Sequence, residues 1–406
     1  MGCRPTLLVL ASTYPRWKGD PEPSFVHELS RRLAGRFRVI AVCPHAPGAA
    51  TREVMDGVEV VRYRYAPERW ETLVNDGGIV ANLRRSRWKL LLLPGFVLAQ
   101  LWAAWRVCRR EGVDVVHAHW LVPQGLVAVT LRMLGRGRPP FVVTSHGADL
   151  YALRGRAWDV VKRFVAGRAS AVTVVSSAMK DQLAKLGVPG GKVMVQSMGV
   201  DLSERFTPDP SVPRSSREIL FVGRLVEKKG VRHLLDAMPA VLEEIPDARL
   251  TIAGFGPEEA ALREQVSRLG LDGSVRFLGA VRQAELPGLY RRAALFVAPF
   301  VQASTGDQEG LGLVLVEAIG CGCPVLAGGV PAVADVLGQL AASNIVDPAD
   351  TAMLARRMVE IISGQEAVRE RAQRLRQLIV ERFDWRYVAG RYVSLLVNAC
   401  RRECGK

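Results

Sequence analysis

Short apolar segments alternate with amphipathic helical patterns along almost the whole chain of 406 residues. The apolar segments are rich in β-branched residues and have the length of buried strands, whereas the segments between them show the 3.6-residue period of helices. This alternation predicts an α/β protein built from parallel, doubly wound sheets. Strands are expected at 6–11, 37–43, 58–65, 113–117, 141–144, 171–175, 192–196, 218–222, 248–253, 275–278, 295–298 and 324–327. Helices are expected at 24–34, 90–109, 124–134, 178–186, 231–244, 257–269, 311–319, 351–363 and 385–402.

One polar segment interrupts this alternation. Residues 204–217 contain three prolines and two adjacent serines, with no apolar periodicity, so they are predicted to be the linker between two domains. The chain is long enough for two domains of ordinary size. We therefore expect Rossmann-like domains at 1–203 and 218–384, facing each other across a cleft, because ligands of such sheets bind at the carboxyl ends of the strands. Residues 385–406 are predicted to form a final helix that packs back on the first domain.

The charge of the chain is unevenly distributed. Residues 1–200 hold 29 lysines and arginines against 14 acidic residues, whereas residues 201–406 hold 26 of each kind. The whole net charge of +15 therefore belongs to the first half. Such a surface attracts polyanions, meaning nucleic acid, anionic lipid or a phosphorylated substrate.

Two glutamates, Glu309 and Glu317, flank a segment with two glycines and an apolar run. In a helix at 311–319, eight positions correspond to about 12 Å along the axis. This is too far for a catalytic carboxylate pair that retains configuration, which needs roughly 5 Å. The spacing suits the two ends of one long ligand, such as a sugar joined through a diphosphate to a ribose, with phosphates at the helix start. Without a ligand, Glu317 would need a buried partner.

Cations and histidines follow other predicted strands. Arg224 and Lys229 come after strand 218–222, where two cations suit a diphosphate, although ordinary solvated charge is the alternative for this stretch alone. His117 and His119 fall on one face of strand 113–117 and its end, because strand side chains alternate. A metal pair is conceivable there, but the sequence offers no third ligand. His146 follows strand 141–144, and a core histidine is the alternative for either His119 or His146.

Taken as a series, the motifs of the second half resemble those of family 4 glycosyltransferases, the retaining enzymes with the GT-B fold. The series runs from 219–230 through 253–257, 277–280, 298–300 and 309–317 to 322–325. The resemblance implies that Glu309, His146 and His119 are catalytic and that Glu309 orients the donor sugar. It also implies that residues of the second domain bind the nucleotide-sugar donor, with Glu317 on the ribose and Arg224 and Lys229 on the diphosphate. The donor residues implied in this way are Gly223, Arg224, Lys229, Gly254, Gly310, Leu311, Gly312 and Glu317.

The resemblance also implies a reaction and excludes a cofactor. The nucleotide diphosphate would leave the anomeric carbon, and an acceptor hydroxyl would attack from the same face, so that configuration is retained. Members of this family generally need no metal or other cofactor. Two departures affect these expectations. The usual glycine-rich loop after the first strand is replaced by residues 14–25, with one glycine and three prolines, and Ala332 stands where the family often has a glutamate.

Residues 84–110 combine an apolar core with basic flanks. Only one polar side chain, Gln100, lies between positions 90 and 105. The core is shorter than the roughly 20 residues of a spanning helix, and Pro94–Gly95 is expected to interrupt it. The segment suits a helix in the interface of an anionic membrane, although a buried helix is the alternative. We therefore expect a cytoplasmic enzyme peripheral to the inner membrane face, a lipid-linked or polysaccharide acceptor in cell-surface glycan synthesis, and no nucleic-acid partner.

Three other functions compete with this one. A dinucleotide oxidoreductase shares the sheet architecture, but the glycine pair at 254 and 256 lacks the third glycine at 259. A sugar-nucleotide epimerase or hydrolase of the same fold would act without an acceptor. A non-enzymatic protein that binds RNA or anionic lipid would explain the charge, but not Arg224, Glu309 and Glu317 together.

Overall fold

The computed structural model describes residues 4–20, 24–75, 78–134 and 139–404, and these form two compact units. The first unit comprises the chain up to Met198 and from Val388 onward, and the second runs from Gly199 to Tyr387. The boundary therefore precedes the predicted linker at 204–217. Arg214, within that segment, donates to the carbonyls of Ala293 and Gly322, which fixes the segment to the second unit.

The first unit contains an eight-stranded sheet with the strand order β3-β4-β2-β1-β5-β6-β7-β8. Its strands are β1 (Thr6–Leu10), β2 (Arg38–Pro44), β3 (Arg52–Met55), β4 (Val58–Tyr63), β5 (Val115–His119), β6 (Phe141–Ser145), β7 (Ala171–Val174) and β8 (Val193–Val195). Its helices are α1 (Phe25–Leu33), α2 (Gly78–Arg85), α3 (Leu92–Glu111), α4 (Leu126–Leu134), α5 (Ala148–Tyr151), α6 (Arg156–Arg168) and α7 (Ser177–Lys185). All neighbours are parallel except β3 and β4.

The second unit contains a parallel six-stranded sheet with the order β11-β10-β9-β12-β13-β14. Its strands are β9 (Glu218–Val222), β10 (Arg249–Ala253), β11 (Val275–Gly279), β12 (Leu295–Ala298), β13 (Val325–Gly328) and β14 (Ile345–Val346). Its helices are α8 (Val231–Glu244), α9 (Glu259–Arg268), α10 (Leu286–Arg292), α11 (Leu313–Gly320), α12 (Pro331–Leu337), α13 (Thr351–Ser363) and α14 (Gln365–Phe383). The final helix, α15 (Trp385–Cys404), belongs to the first unit from Val388 onward.

The predicted α/β class with two parallel sheets is confirmed. All twelve expected strands are present within two residues of their predicted ends, because most of them are buried apolar runs in a parallel sheet. The exceptions are β8 and β11 at the sheet edges, which are only partly buried. The structure adds β3, an edge strand with two of its four residues exposed, and the two-residue β14, neither of which has the apolar run of a buried strand. It also adds the helices α2, α5, α6, α10, α12 and α14.

Parallel strands bring their carboxyl ends to one edge of each sheet. In the first unit, β1 lies between β2 and β5, with Leu7 opposite both Val39 and Val115. In the second, β9 lies between β10 and β12. The side chains of Leu7, Leu8, Ile219 and Leu220 are fully buried, so hydrophobic burial fixes each sheet and thereby the loops at its edge.

Most of the apolar segment at 84–110 belongs to α3, a surface helix with one buried face. α3 runs without interruption from Leu92 to Glu111, so the expected break at Pro94–Gly95 was wrong. Pro94 lies in the first turn, where a missing N–H costs no helical hydrogen bond. Residues 87–111 are long and apolar enough to cross a membrane by length and composition. Yet Phe96, Gln100 and Ala104 are fully buried, and Gln100 donates to the carbonyl of Ala11 at 3.2 Å.

Candidate functional site

Glycines allow the loops after β9 and β10 to approach each other closely. A Cβ atom on Gly254 would lie 1.8 Å from the carbonyl oxygen of Gly223. The Gly254 N–H donates to Gly279 and that of Gly223 to Ala253, so the loops continue the hydrogen bonding of the sheet. The two predicted donor-site glycines therefore lie together at the carboxyl edge of the second sheet. Arg224 follows Gly223 directly and is partly buried.

The structure brings Lys229 and Glu309 into an ion pair. The Lys229 Nζ lies 2.7 Å from Glu309 Oε2, and both side chains are mostly buried. The same ammonium lies 4.5 Å from the centre of the Phe300 ring, a favourable cation–π position. Lys229 ends a short 3-10 turn, after which Gly230 adopts a left-handed φ of 68° and α8 begins. A side chain at that position would collide with Pro299, so the glycine sets how closely the turn approaches the loop after β12.

The charges around Glu309 keep its carboxylate ionised. Burial by itself would raise the pKa of Glu309, but the ammonium groups of Lys229 and Lys228 and the hydrogen bonds from Lys229 and from the backbone N–H of Leu311 lower it to about 2. Lys228 is itself paired with Asp307 at 3.3 Å. Glu309 is thus an anion across the physiological pH range, and it can accept hydrogen bonds from sugar hydroxyls but cannot donate a proton.

The helix after Glu309 begins later than the sequence predicted. α11 starts at Leu313, after Gly312 in a left-handed conformation with φ 86°, so Glu309 lies in the preceding loop. The helical distance of about 12 Å therefore does not apply to the whole segment, because a loop does not rise 1.5 Å per residue. Gly312 is required by close packing, since a Cβ there would lie 2.8 Å from the Phe300 ring. Gly310 and Leu311 complete this loop, and the Leu311 N–H is already used by Glu309.

Glu317 lies on α11, and two hydrogen-bond donors hold its buried carboxylate in place. Its carboxylate accepts hydrogen bonds from Gln283 Nε2 at 3.0 Å and from the Tyr290 hydroxyl at 3.0 Å. Glu317 is 7% exposed and Tyr290 is fully buried. These partners account for the burial of the carboxylate without a ligand. Two oxygens offer about four acceptor positions in all, so the carboxylate can still accept hydrogen bonds from a second molecule.

Glu317 and Glu309 differ in their protonation. Burial raises the pKa of Glu317 to about 7, although hydrogen bonds from Gln283 and Tyr290 and the charges of Arg205 and Lys229 act in the opposite direction. The charge of Lys229 therefore lowers the pKa of both carboxyl groups. The arrangement offers one permanent anion, one titrating carboxyl and a cation, which is a set suited to a ligand with hydroxyls at both ends and negative charge in the middle.

In the first unit, three histidines form a stacked cluster at the ends of β5 and β6. His119 Nδ1 and His146 Nε2 are 2.9 Å apart, and their rings are nearly parallel at 5.2 Å. His117 lies 4.2 Å from His119, ring to ring, and its Nε2 is 2.7 Å from the Thr144 hydroxyl. His117 and His119 thus share one face, as predicted. His119 is fully buried, however, whereas His146 is only partly buried.

The buried position corrects the expectation that both His119 and His146 face a substrate. Only His146 reaches the surface, and His119 lies behind it as its hydrogen-bond partner. Burial lowers the pKa of His117 and of His146 to about 3 and that of His119 well below its ordinary value. All three imidazoles are therefore neutral. In the described part of the chain, no group of three or more histidine, cysteine or acidic residues is placed to hold a metal ion.

The neutral rings limit which proton His146 can offer. We assign the shared proton to His119 Nδ1, because the opposite tautomer would leave the His119 Nε2–H buried without an acceptor. His146 Nε2 is then an acceptor, and its Nδ1–H is the group that can donate to a bound hydroxyl. With both nitrogens so occupied, His146 is a hydrogen-bond donor rather than a general base.

Sequence reasoning missed the residues that hold these groups in place. Tyr290 and Gln283 lie 27 and 34 positions from Glu317 in the sequence, and Phe300 packs under Lys229 and Gly312. Trp120, next to His119, also escaped notice. A tyrosine in an amphipathic helix and a tryptophan after a strand carry no pattern that separates such roles from core packing, so only the strand–turn position of Trp120 offered a signal.

Both halves of the chain match family models of glycosyltransferases. Residues 24–204 match the model described as Glycosyltransferase Family 4, and residues 204–378 match that of Glycosyl transferases group 1. Phosphatidyl-myo-inositol mannosyltransferase from Mycobacterium leprae is 32% identical over 287 residues, 70% of this chain and 72% of that protein. Glycogen synthase from Mycobacterium tuberculosis is 28% identical, over 93% of this chain and 91% of that protein.

The fold comparison extends over the whole chain. Sucrose-phosphate synthase from Thermosynechococcus elongatus superposes with a TM-score of 0.78 at 22% identity, covering 97% of this chain and 98% of that one. This likeness confirms the predicted GT-B fold. The two family models and the relative at 32% identity show that the chain belongs to the group 1, family 4 glycosyltransferases, enzymes that transfer a sugar from a nucleotide sugar.

Proposed function

We propose that this protein is a retaining glycosyltransferase that moves a sugar from a nucleotide-diphosphate sugar to a hydroxyl of a lipid-linked or polysaccharide acceptor. The observation that carries this proposal is the buried pair of Lys229 and Glu309 at 2.7 Å, with Glu317 on the helix that follows. Among its relatives, one is named for a mannosyl transfer to phosphatidyl-myo-inositol and another for glycogen synthesis. Both acceptor classes are therefore compatible with the proposal.

In this proposal the second unit binds the whole donor. Glu309 accepts hydrogen bonds from the sugar hydroxyls, Lys229 and Arg224 neutralise the diphosphate, and Glu317 accepts hydrogen bonds from the ribose. The backbone of three loops can approach the phosphates and the sugar closely. One loop contains Gly310, Leu311 and Gly312, and the loops after β9 and β10 contain Gly223 and Gly254. As the bond to the anomeric carbon breaks, negative charge grows on the diphosphate, and the cations placed there lower the barrier.

We further propose that the acceptor proton passes to the departing phosphate and that the configuration is retained. This proposal is supported by the site chemistry, because Glu309 is paired and permanently ionised and His146 lacks a free basic nitrogen. In this mechanism Lys229 and Arg224, rather than a bound metal ion, neutralise the negative charge of the leaving diphosphate. We therefore expect 5 mM EDTA, as an order-of-magnitude excess of chelator, to leave the transfer rate unchanged.

The decisive experiment measures sugar transfer from UDP-glucose and GDP-mannose to maltoheptaose and to vesicles containing phosphatidylinositol. We expect one donor to support transfer and to raise the melting temperature through binding, while NAD does neither. Lys229→Met should reduce the transfer rate by about 100-fold or more, because it removes a cation that stabilises the charge of the leaving diphosphate. Glu309→Gln should reduce it by a similar factor, because it removes the charged acceptor that positions the donor sugar. Lys228→Met should lose less than about tenfold, because this ammonium forms its ion pair with Asp307 and acts on Glu309 only through its charge.

Two outcomes would contradict this function. If Glu309→Gln or Lys229→Met kept the wild-type rate, the site assignment would be wrong. If the protein consumed a sugar nucleotide equally fast without any acceptor, it would act as an epimerase or hydrolase. NMR of the product distinguishes a retained from an inverted anomeric configuration.

We also propose that the enzyme works as a peripheral protein at the cytoplasmic face of an anionic membrane. The outer face of α3 supports this, with Leu98 and Trp102 exposed by 63% and 57%, and Leu91, which directly precedes the helix, is exposed by 81%. Trp102 stacks on Trp105, over which Arg109 lies at 4.8 Å. Basic residues bracket this apolar face, at positions 85, 87 and 89 and again at 106, 109 and 110. Apolar side chains between cations fit the interface of an anionic bilayer.

Sedimentation with vesicles tests this contact. We expect the protein to bind vesicles containing phosphatidylserine and to lose binding as sodium chloride rises, because salt screens exposed charges. Leu98→Gln should weaken binding without changing the melting temperature, because the side chain is exposed. Leu378→Gln, at another exposed leucine in the second unit, is the matched control. Equal binding of both variants would refute the role of α3.

A further inference from the structure

Trp120 has a backbone conformation that L-residues seldom adopt. Its φ is 78° and its ψ is 137°, immediately after β5. Among the described residues, the other non-glycine with positive φ is Asp56, in a tight turn between β3 and β4. Aspartate tolerates that region, whereas a bulky aromatic residue there is strained. Strain of this kind persists where the surrounding structure enforces it, and it concentrates at binding and catalytic sites.

The structure around Trp120 enforces this conformation from three sides. The Trp120 N–H donates to the carbonyl of Thr144 at 2.7 Å, and its own carbonyl accepts from Gly125 at 3.0 Å. The next N–H, that of Leu121, donates to the buried Asp149 carboxylate at 2.6 Å. Asp149 also accepts from Ser145 at 2.8 Å, which couples the loop after β5 to the loop after β6.

This conformation places the indole in an aromatic surface. The ring centre of Trp120 is 5.0 Å from His146 and 6.1 Å from Phe25, and Phe25 is 4.9 Å from His146. All three side chains are partly buried, so each keeps an accessible portion, while His119 behind them is fully buried. The surface thus combines apolar ring faces with the Nδ1–H donor of His146.

We propose that Trp120, Phe25 and His146 form a docking surface for the acceptor's ring, and that the acceptor is a cyclic polyol, meaning a sugar or an inositol. A cyclic polyol has apolar C–H groups on one face, which pack on aromatic rings, and hydroxyls at its rim, which hydrogen-bond to a donor such as His146. The strain at Trp120 is retained because a glycine, which would relieve it, would remove the ring. This inference rests on the proposed function, since it names the acceptor of that reaction.

The test compares Trp120→Gly, Trp120→Ala and Trp120→Phe in the full-length protein. Trp120→Gly should melt at a higher temperature than Trp120→Ala by several degrees, because glycine adopts this φ without strain. The Michaelis constant for the acceptor, maltoheptaose or phosphatidylinositol vesicles, should rise by about tenfold or more in Trp120→Gly, whereas that for the nucleotide sugar should change by less than twofold. The acceptor Michaelis constant of Trp120→Phe should lie between those of the wild type and Trp120→Gly.

Trp70→Gly is the control, because Trp70 is 45% exposed and has an ordinary backbone conformation. It should lower the melting temperature slightly and leave the acceptor constant unchanged. Saturation-transfer NMR with maltoheptaose and with myo-inositol measures ring binding directly, independently of transfer. We expect the wild type to bind at least one ring and Trp120→Gly to bind neither.

Two results would overturn the inference. One is an unchanged acceptor constant or unchanged ring binding in Trp120→Gly. The other is binding of an open-chain hydroxy acid such as L-malate, with no binding of either ring by the wild type. If the wild type binds a ring but transfers no sugar to any acceptor, the proposed function fails while the docking surface stands. If the wild type transfers sugar and Trp120→Gly does so equally well, the proposed function stands and the docking surface fails.

Discussion

At the residue scale, the two glutamates of one segment have opposite electrostatic environments. Glu309 faces two ammonium groups, which outweigh its burial and lower its pKa to about 2. Glu317 faces uncharged donors, so burial prevails and raises its pKa to about 7. The two side chains are the same, and only their neighbours decide which of them remains charged at neutral pH.

The hydroxyl of Tyr290 leads to a prediction about pH. It donates to Glu317 and remains protonated, since burial raises the pKa of Tyr290 well above its ordinary value. Tyr290→Phe removes a hydrogen bond that favours the charged carboxylate, so the pKa of Glu317 should rise from about 7 to a higher value. A protonated carboxyl accepts hydrogen bonds poorly. We expect the Michaelis constant for the donor to rise by about tenfold at pH 7 and to approach the wild-type value near pH 9.

A control separates this effect from simple loss of packing. Tyr65→Phe removes a buried hydroxyl that accepts from the Leu73 N–H in the first unit, and it should leave the donor constant unchanged at every pH. Donor saturation curves between pH 6 and pH 9 give both values. A rise in the donor constant of Tyr290→Phe that is equal at pH 7 and pH 9 would show that Tyr290 only supports packing.

At the scale of elements, the turn before α8 positions Lys229. Gly230, which follows the turn, has a φ of 68°, and an added Cβ would lie 1.8 Å from the Pro299 carbonyl oxygen. Gly270, after α9, has nearly the same φ of 67°, but nothing lies within 4 Å of its added Cβ. The two glycines therefore separate the cost of the left-handed conformation from the cost of a steric clash.

We predict that Gly270→Ala lowers the free energy of unfolding by about 1–2 kcal/mol, the cost of a left-handed alanine. Gly230→Ala should lower it by at least about 2 kcal/mol more, because the Pro299 backbone must also move. It should also weaken donor binding, since Lys229 would shift with the turn. Urea unfolding measures both changes. Equal destabilisation by the two substitutions would show that the contact with Pro299 relaxes at little cost.

At the scale of the whole molecule, the chain passes between the two units twice, after Met198 and after Tyr387. The final helix therefore completes the core of the first unit with a residue, Tyr392, that lies 196 positions from one partner, Gln196, and 275 from another, His117. Tyr392 is fully buried, its ring lies 5.5 Å from His117, and its hydroxyl donates to the carbonyl of Gln196 at 3.1 Å. The histidine cluster thus depends on the last helix as well as on β5 and β6.

This dependence predicts a large effect from one distant residue. Tyr392→Ala should lower the free energy of unfolding by about 3–5 kcal/mol, because it leaves a cavity beside His117. Tyr392→Phe keeps the ring and should lower it by only about 1 kcal/mol. Chemical unfolding followed by fluorescence measures both variants. If the alanine variant were as stable as the phenylalanine variant, the final helix would not be part of this core.

The charge distribution also belongs to the whole molecule. The sequence shows that the excess of cations lies in the first 200 residues, and the structure shows that an apolar helix face is exposed in the same unit. Neither fact alone favours a membrane over another polyanion. Their combination on α3, where tryptophans and leucines lie between basic residues, is the physical basis for the proposed bilayer contact.

The sequence by itself determined the sheets, the major helices and the motif series that shows the family. Buried strands must be apolar runs, and glycines and charged residues after them occupy fixed positions, so local pattern is sufficient for these features. It placed Lys229 and Glu309 in one site through resemblance, although they lie 80 positions apart.

Only the tertiary structure decided which groups surround each side chain. The donors to Glu317, the burial of His119 behind His146, the start of α11 at Leu313 and the strained Trp120 all depend on residues from separate strands and loops. A residue's charge and conformation depend on every neighbour within a few ångströms. These neighbours come from distant positions in the sequence, and they meet only when the folded sheets bring their loops together.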